Sequence, residues 1–318
     1  MSDVLLLGNG LNRLPYEAGK GISWNDLLES LINEFSKGNI QNNDESSKPF
    51  PLLYEEILSY AINQRKKESE NEEEKEIKEH IATKIREIIP NDSHKLLKKC
   101  RFSNILTTNY DYLIEQAIGE TPIDAKNYGT VKEQKYSLFR KKKVITTDGE
   151  AVFVWHIHGE INTPHTITLG YEHYAGSLQA MREAAIIGST YQNRTFRNLK
   201  DRILNNEIGD YWMDFFFTNN IHIVGLSLDF SEIDLWWLLV YRAREKNKHA
   251  MKQDGLIINN QVFYYYLQRA DLPYSEKNRL EILKSLGIIL VPIESNSNSS
   301  DDYIDFYNQV FEKKLKIN

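Results

Sequence analysis

The feature that most restricts the fold of this 318-residue chain is a set of short apolar runs, each broken off by a glycine or polar segment. Asp3–Leu7 stops at Gly8-Asn9-Gly10, and Phe102–Leu106 stops at Thr107-Thr108-Asn109-Tyr110-Asp111. Val152–Trp155 runs into His156-Ile157-His158-Gly159, and Ile221–Val224 into Gly225-Leu226-Ser227-Leu228-Asp229. Apolar runs this short, bounded by turn residues, read as buried strands. Two more follow at Val262–Leu267 and Ile288–Pro292.

Helical patterns fill the intervals. Ser23 with Asp26 three residues on predicts a capped helix start, and Trp24, Leu27, Leu28, Leu31 and Phe35 follow at helical spacing. Further helices are predicted at Leu53–Gln64, Tyr112–Ile118, Ile233–Arg244, Ser275–Leu286 and Asp302–Lys313, with patches near 175–186 and 195–205. Ile77, Ile81, Ile85 and Ile88 form a stripe that Pro90 ends. Residues 36–50 read as a polar loop, Arg65–Glu79 as a solvated charged face, and Arg140–Lys143 as a solvated basic loop or a nucleic-acid contact. The alternation predicts an α/β, Rossmann-like fold: a mainly parallel sheet with helices on both faces and a helical insertion. One domain over 1–318 is expected, with helical insertions near 36–100 and 160–220.

Composition narrows the function classes. Hydrophobic residues make up 41% and charged residues 26%, which places the chain among globular proteins. A single cysteine, Cys100, excludes a disulfide framework within the chain and a multi-cysteine zinc site. The formal net charge of −6 argues against broad nucleic-acid binding, which needs a cationic footprint. No cationic segment precedes the first apolar run and no apolar stretch has membrane-span length, so a soluble, cytoplasmic protein is expected.

If the four strands are neighbours, their polar ends converge on one crevice, where open parallel sheets bind ligands. Gly8-Asn9-Gly10 could let a phosphate approach the backbone or could simply turn the chain; no third glycine follows at Arg13. Asn109 and Asp111 could cap the next helix or face a ligand. His156 and His158 could form a two-residue metal claw, serve the core, or place one imidazole for proton transfer, with Gly159 giving access to His158. Ser227 lacks the flanking pattern of a nucleophile elbow and reads as a hydroxyl for a ribose or phosphate. Trp212, Phe215, Phe216, Phe217, Trp236 and Trp237 read as core, with an interface as the alternative.

Taken in order, these segments resemble the sirtuin-like NAD-binding family, and more closely the sirtuin-like NAD hydrolases of bacterial anti-phage defence. Gly8-Asn9-Gly10-Leu11-Asn12 is similar to the first glycine loop, Thr108-Asn109-Tyr110-Asp111 to the sirtuin Gln-Asn-Ile-Asp segment, His158-Gly159 to the catalytic His-Gly, and Gly225-Leu226-Ser227 to the loop for the ribose and phosphate end of NAD. Sirtuin deacylases carry four zinc cysteines and this chain has one, so the resemblance implies NAD cleavage rather than deacylation. It implies that Asn109 holds a water or the ribose, that His158 acts as base, that Asp111 holds the nicotinamide end, and that the glycine loop cradles phosphates without a metal. A homo-oligomer and a partner defence protein such as a motor ATPase are also implied. The alternatives are an NAD or ADP-ribose-binding regulatory or assembly module without turnover, and a protein deacylase.

Overall fold

The computed structural model describes residues 2–15, 21–40, 48–65, 70–119, 134–191, 193–295 and 302–315. Its strands are β1 (Asp3–Leu7), β2 (Asn104–Thr107), β3 (Lys141–Ile145), β4 (Ala151–His156), β5 (Gly188–Tyr191), β6 (Arg194–Arg197), β7 (Asn220–Val224), β8 (Val262–Gln268) and β9 (Ile289–Glu294). Its helices are α1 (Trp24–Ser36), α2 (Phe50–Arg65), α3 (Glu70–Ile85), α4 (Asp92–Lys95), α5 (Leu113–Ile118), α6 (Tyr171–Ile186), α7 (Leu199–Leu204), α8 (Phe215–Thr218), α9 (Ile233–Ala250), α10 (Tyr274–Ser285) and α11 (Asp302–Gln309).

Seven strands form one sheet in the order β3-β4-β2-β1-β7-β8-β9. Every pairing is parallel except β3 against β4. The chain works outward from β1 through β2 to β4, then returns to β1 and continues through β7 on its other side. That reversal is the switch point at which doubly wound sheets open a crevice.

Alternation along each strand sends side chains to both faces, and both faces are covered. Val4, Leu6, Leu106, Trp155, Ile221 and Ile223 pack with Met181 of α6, Phe216 of α8, Leu238 of α9 and Leu283 of α10. Leu5, Leu7, Ile105, Val154 and Val224 pack with Ile114 of α5 and Phe306 of α11. The α/β architecture with helices on both faces is therefore as expected. A third cluster joins Leu31 of α1, Ile57 of α2 and Ile81 of α3 to Tyr110 and Ile167, so a helical layer sits against the carboxyl end of β2.

Local signals place several elements. The Ser23 hydroxyl accepts from the Asp26 amide at 3.1 Å while the Asp26 carboxylate accepts from the Ser23 amide at 2.7 Å, the reciprocal cap expected for α1. Pro51 lies in the first turn of α2, where its missing N–H has no helical partner to lose, so the helix begins earlier than Leu53. Of the expected 36–50 loop, residues 41–47 lie outside the described residues.

Some expectations are overturned. Arg140–Lys143 is not a solvated loop: Lys141–Lys143 open the edge strand β3, and Arg140 and Lys142 are buried. Strand alternation turns Lys142 inward, where its ammonium donates to Glu160 Oε1 at 2.8 Å; the Arg140 guanidinium donates to the carbonyls of His156 and Gln134. The charged run before Ile81 is likewise not solvated on every side, because Lys78 is buried and pairs with Glu74 at 3.1 Å. The helix expected near 195–205 starts only at Leu199, since Arg194–Arg197 pairs with Gly188–Tyr191 as a hairpin. Trp212, Phe215, Phe216 and Phe217 are core residues, and Trp236 and Trp237 pack partly against that core. No helix among the described residues is long and apolar enough to cross a membrane.

Candidate active site

The four strands with polar ends are adjacent, in the order β4-β2-β1-β7, and parallel, so their carboxyl ends share one edge of the sheet. The loops after β1 and β7 lock together. The amide of Gly8 donates to Val224 O at 3.0 Å and that of Gly10 to Gly225 O at 2.8 Å. A Cβ on Gly8 would lie 2.5 Å from Leu226 Cα, and one on Gly10 would strike the Tyr307 hydroxyl and lie 2.8 Å from Gly225 O. Both glycines are thus required by loop-to-loop packing. Gly225 itself turns at φ +65°, with Tyr264 Oη donating to Leu226 O at 3.0 Å behind it. Leu11 and Leu226 are buried, while Asn9 is half-buried and Ser227 exposed at the rim.

Thr107 ends β2 and ties it to β1. Its hydroxyl donates to Leu7 O at 2.9 Å and accepts the Asn109 amide at 3.0 Å. Thr108 and Asn109 are buried. Asn109 Nδ2 reaches Gly8 O at 3.4 Å, whereas its Oδ1 is buried with no hydrogen-bond partner among the described residues. A buried acceptor left open costs free energy, so Oδ1 is available to a donor that enters the site.

Asp111 takes the capping role weighed from sequence, and its second oxygen is held by a side chain of the first loop. Oδ1 accepts the Leu113 amide at 2.9 Å, at the start of α5, and Oδ2 accepts Asn12 Nδ2 at 2.6 Å. Burial pushes the Asp111 carboxyl up from its ordinary value. Asn12 is held in turn by His94, whose Nε2 lies 3.0 Å from Asn12 Oδ1. The Asn91 amide donates to His94 Nδ1 at 3.2 Å, so Nε2 carries the proton and donates to Asn12. Burial lowers His94 to about 3, which keeps it neutral. His94 was missed from sequence; its signal is the Asn91-x-x-His94 cap of the short helix α4.

His156 and His158 serve different partners. His156 Nδ1 donates to Asn109 O at 3.2 Å and Nε2 lies 2.7 Å from Glu115 Oε1. Burial alone would lower its pKa, but the Glu115 charge and hydrogen bond outweigh that and raise it. His156 therefore braces the Asn109 backbone. His158 Nε2 lies 3.0 Å from Asp234 Oδ2, and Tyr174 packs edge-on against the ring at 5.3 Å. Burial again opposes the charged ring, and Asp234 again prevails, so the His158 pKa is raised and that of Asp234 lowered. Gly159 takes φ +99°, and the space its Cβ would fill is occupied by the Thr166 backbone rather than left for a substrate.

Sequence reasoning also missed Asp234, Ser177, Tyr174 and Glu232. None lies in a motif, and only the fold of α6 and α9 across the strand ends brings them to His158. Burial pushes the Glu232 carboxyl up to about 7 against the opposing pull of His158.

Beside Asn109 and Asp111, but not reaching His158, lies a cavity of ≈ 20 Å³, walled by Asn9, Asn12, Trp24 and Ile88 among others. That is room for about one water. A larger cavity of ≈ 490 Å³ lies at the opposite, amino end of β2 and β4, bounded by Phe102, Ile105 and Val152, and none of the strand-end residues lines it.

A protein-family model described as a SIR2-like domain matches residues 103–289. The match takes in Asn109, His158, Gly225 and Asp234 and leaves Gly8–Asn12 outside. The chain is also similar to the NAD(+) hydrolase ThsA of Acinetobacter baumannii (strain 532279), with 27% identity over 173 residues. That similarity covers 51% of this chain and spans 30% of the relative's length.

Proposed function

The chain belongs to the SIR2-like domain family, and from that premise we propose that it is an NAD glycohydrolase, cleaving the nicotinamide–ribose bond as an NAD-depleting step of abortive-infection anti-phage defence. The observation that carries this reading is the open, buried Oδ1 of Asn109, just past the carboxyl end of β2, with the His158 imidazole just past that of the adjacent strand β4. The similarity to an NAD(+) hydrolase supports it.

In this reading Asn109 Oδ1 accepts a hydrogen bond from the attacking water or from a ribose hydroxyl. Nicotinamide departs neutral from a pyridinium, so its leaving needs no acid; the oxocarbenium-like centre needs a placed water and electrostatic support. His158 takes the proton as the water oxygen bonds to the anomeric carbon, giving ADP-ribose and nicotinamide. Asp111 holds the nicotinamide end. The amides of Gly8, Gly10 and Asn12 are engaged within the protein, so phosphate contacts from the first loop fall to Asn9 and Leu11. Thr108 and Gly225-Leu226-Ser227 complete the binding surface. All of these residues lie in one proposed domain, with the helical insertions forming its walls.

The cavity of ≈ 20 Å³ beside Asn109 does not admit a dinucleotide, so in this reading the start of α1 and the end of α3, which wall it, move away when NAD enters. The alternative is an NAD or ADP-ribose-binding module without turnover. The decisive experiment is nicotinamide release from NAD by the wild type, Asn109→Ala and His158→Ala. Release by the wild type and its loss in both variants is the expected result. Equal release by all three would sink the assignment, and NAD binding without release under any trigger would favour the binding module.

A further inference from the structure

His158 is not a lone imidazole. Asp234 Oδ2 accepts from its Nε2 at 3.0 Å and also from the Ser177 hydroxyl at 2.7 Å, while Oδ1 accepts the Leu235 amide at 2.8 Å. An ionised carboxylate only accepts, so the proton on a neutral His158 must sit on Nε2. Nδ1 is then the ring's basic nitrogen. Asp234 is fully buried in the first turn of the 18-residue helix α9, where the unsatisfied helix amides favour a negative charge. The edge of Tyr174, from α6, fixes the ring plane at 84°.

We propose that Asp234, held by Ser177 and the Leu235 amide, is the positioning residue that fixes the tautomer and the proton affinity of His158. The assignment rests on His158 being the proton acceptor of NAD cleavage. In that step a water O–H breaks, its proton bonds to His158 Nδ1, the oxygen bonds to the anomeric carbon, and the carbon–nitrogen pair leaves with nicotinamide. The imidazolium so formed lies against the Asp234 carboxylate, which stabilises it. The other charges acting on His158 are Glu232, which reinforces Asp234, and Arg140, which opposes it. The pair is built from three elements, the loop after β4, α6 and α9. A carboxylate with this role carries no local sequence signature, because its partner lies 76 residues away.

The test is ¹⁵N-histidine NMR titration of the full chain, with the His158 signal identified by its loss in His158→Gln. The wild-type ring should titrate above its ordinary value and show the Nε2–H tautomer when neutral. Asp234→Asn should lower the midpoint by at least about one unit, a tenfold loss of proton affinity, and can reverse the tautomer by turning its amide NH₂ toward Nε2. Ser177→Ala, a milder change in case Asp234→Asn fails to fold, should lower it in the same direction by less. An unchanged midpoint and tautomer in a folded variant would overturn the proposal. In the reaction, the acid limb of the nicotinamide-release profile should move to lower pH in Asp234→Asn with the NMR midpoint; a limb that stays in place would also overturn it. The titration needs no turnover, so failure of NAD cleavage and failure of the Asp234–His158 pair are read separately.

Discussion

Asn109 and His158 are both buried, yet their polar atoms are treated differently by the fold. The Asn109 side chain makes only a long contact to Gly8 O and leaves Oδ1 open. Asn109→Ala should therefore change stability by no more than about 1 kcal/mol while lowering nicotinamide release by ~10²-fold or more, as loss of a transition-state contact does. Chemical denaturation alongside a nicotinamide assay measures both; a large stability loss would mean that the residue is structural. For His158, the pH profile carries the information. A raised pKa held by Asp234 means that the neutral, basic ring accumulates only as pH rises above its ordinary 6.5. Nicotinamide release should accordingly climb through neutrality rather than plateau at pH 6, and an assay between pH 5.5 and 9 checks this.

Among elements, the loop after β1 is the most exacting contact. Gly8 and Gly10 lie against the backbone of Gly225-Leu226 and the Tyr307 hydroxyl, with no volume for a methyl group. Gly10→Ala must push β1, β7 or α11 apart, at an expected cost of about 1–3 kcal/mol, the usual range for overpacking. A thermal melt should show it, and an unchanged melting temperature would mean that this junction is softer than its geometry implies. The helical layer gives a second prediction. If NAD enters by displacing the start of α1, hydrogen exchange of residues 21–28 should change on NAD addition while β8 and β9 stay constant. Unaltered exchange at 21–28 with bound NAD would point to another route of entry.

At the scale of the molecule, buried imidazoles set the acid limit. His94 is lowered by burial from 6.5 to about 3, so the folded chain refuses a proton that the unfolded chain accepts. Its contribution is fully present above about pH 6.5 and is lost as pH falls toward about 3, by up to ~1.4 kcal/mol per pH unit. Urea denaturation at pH 7, 6 and 5 should show stability declining, and His94→Gln should flatten the decline. An identical slope in the variant would place the acid sensitivity elsewhere. The Asp234–His158 pair adds opposite tendencies at its two ends: the lowered carboxyl loses its contribution under acid, and the raised imidazole loses it as pH climbs through its folded value.

The sequence by itself determined the strand and helix alternation, the polar strand ends and the caps, because period, turn residues and side-chain reach are local properties. β1 and the reciprocal Ser23–Asp26 cap could be read this way, and so could the convergence of Gly8, Asn109, His158 and Gly225 once the strands were taken as neighbours. Only the tertiary structure decided what surrounds them. Asp234, Ser177 and His94 meet the site through contacts 57 to 82 residues long, which no local pattern encodes. The basic run at Arg140–Lys143 misled for the same reason: charge predicts solvent until a distant carboxylate and a strand edge supply buried partners. The glycines after β1 mark a turn in one dimension. In three dimensions they are the places where two loops touch backbone to backbone.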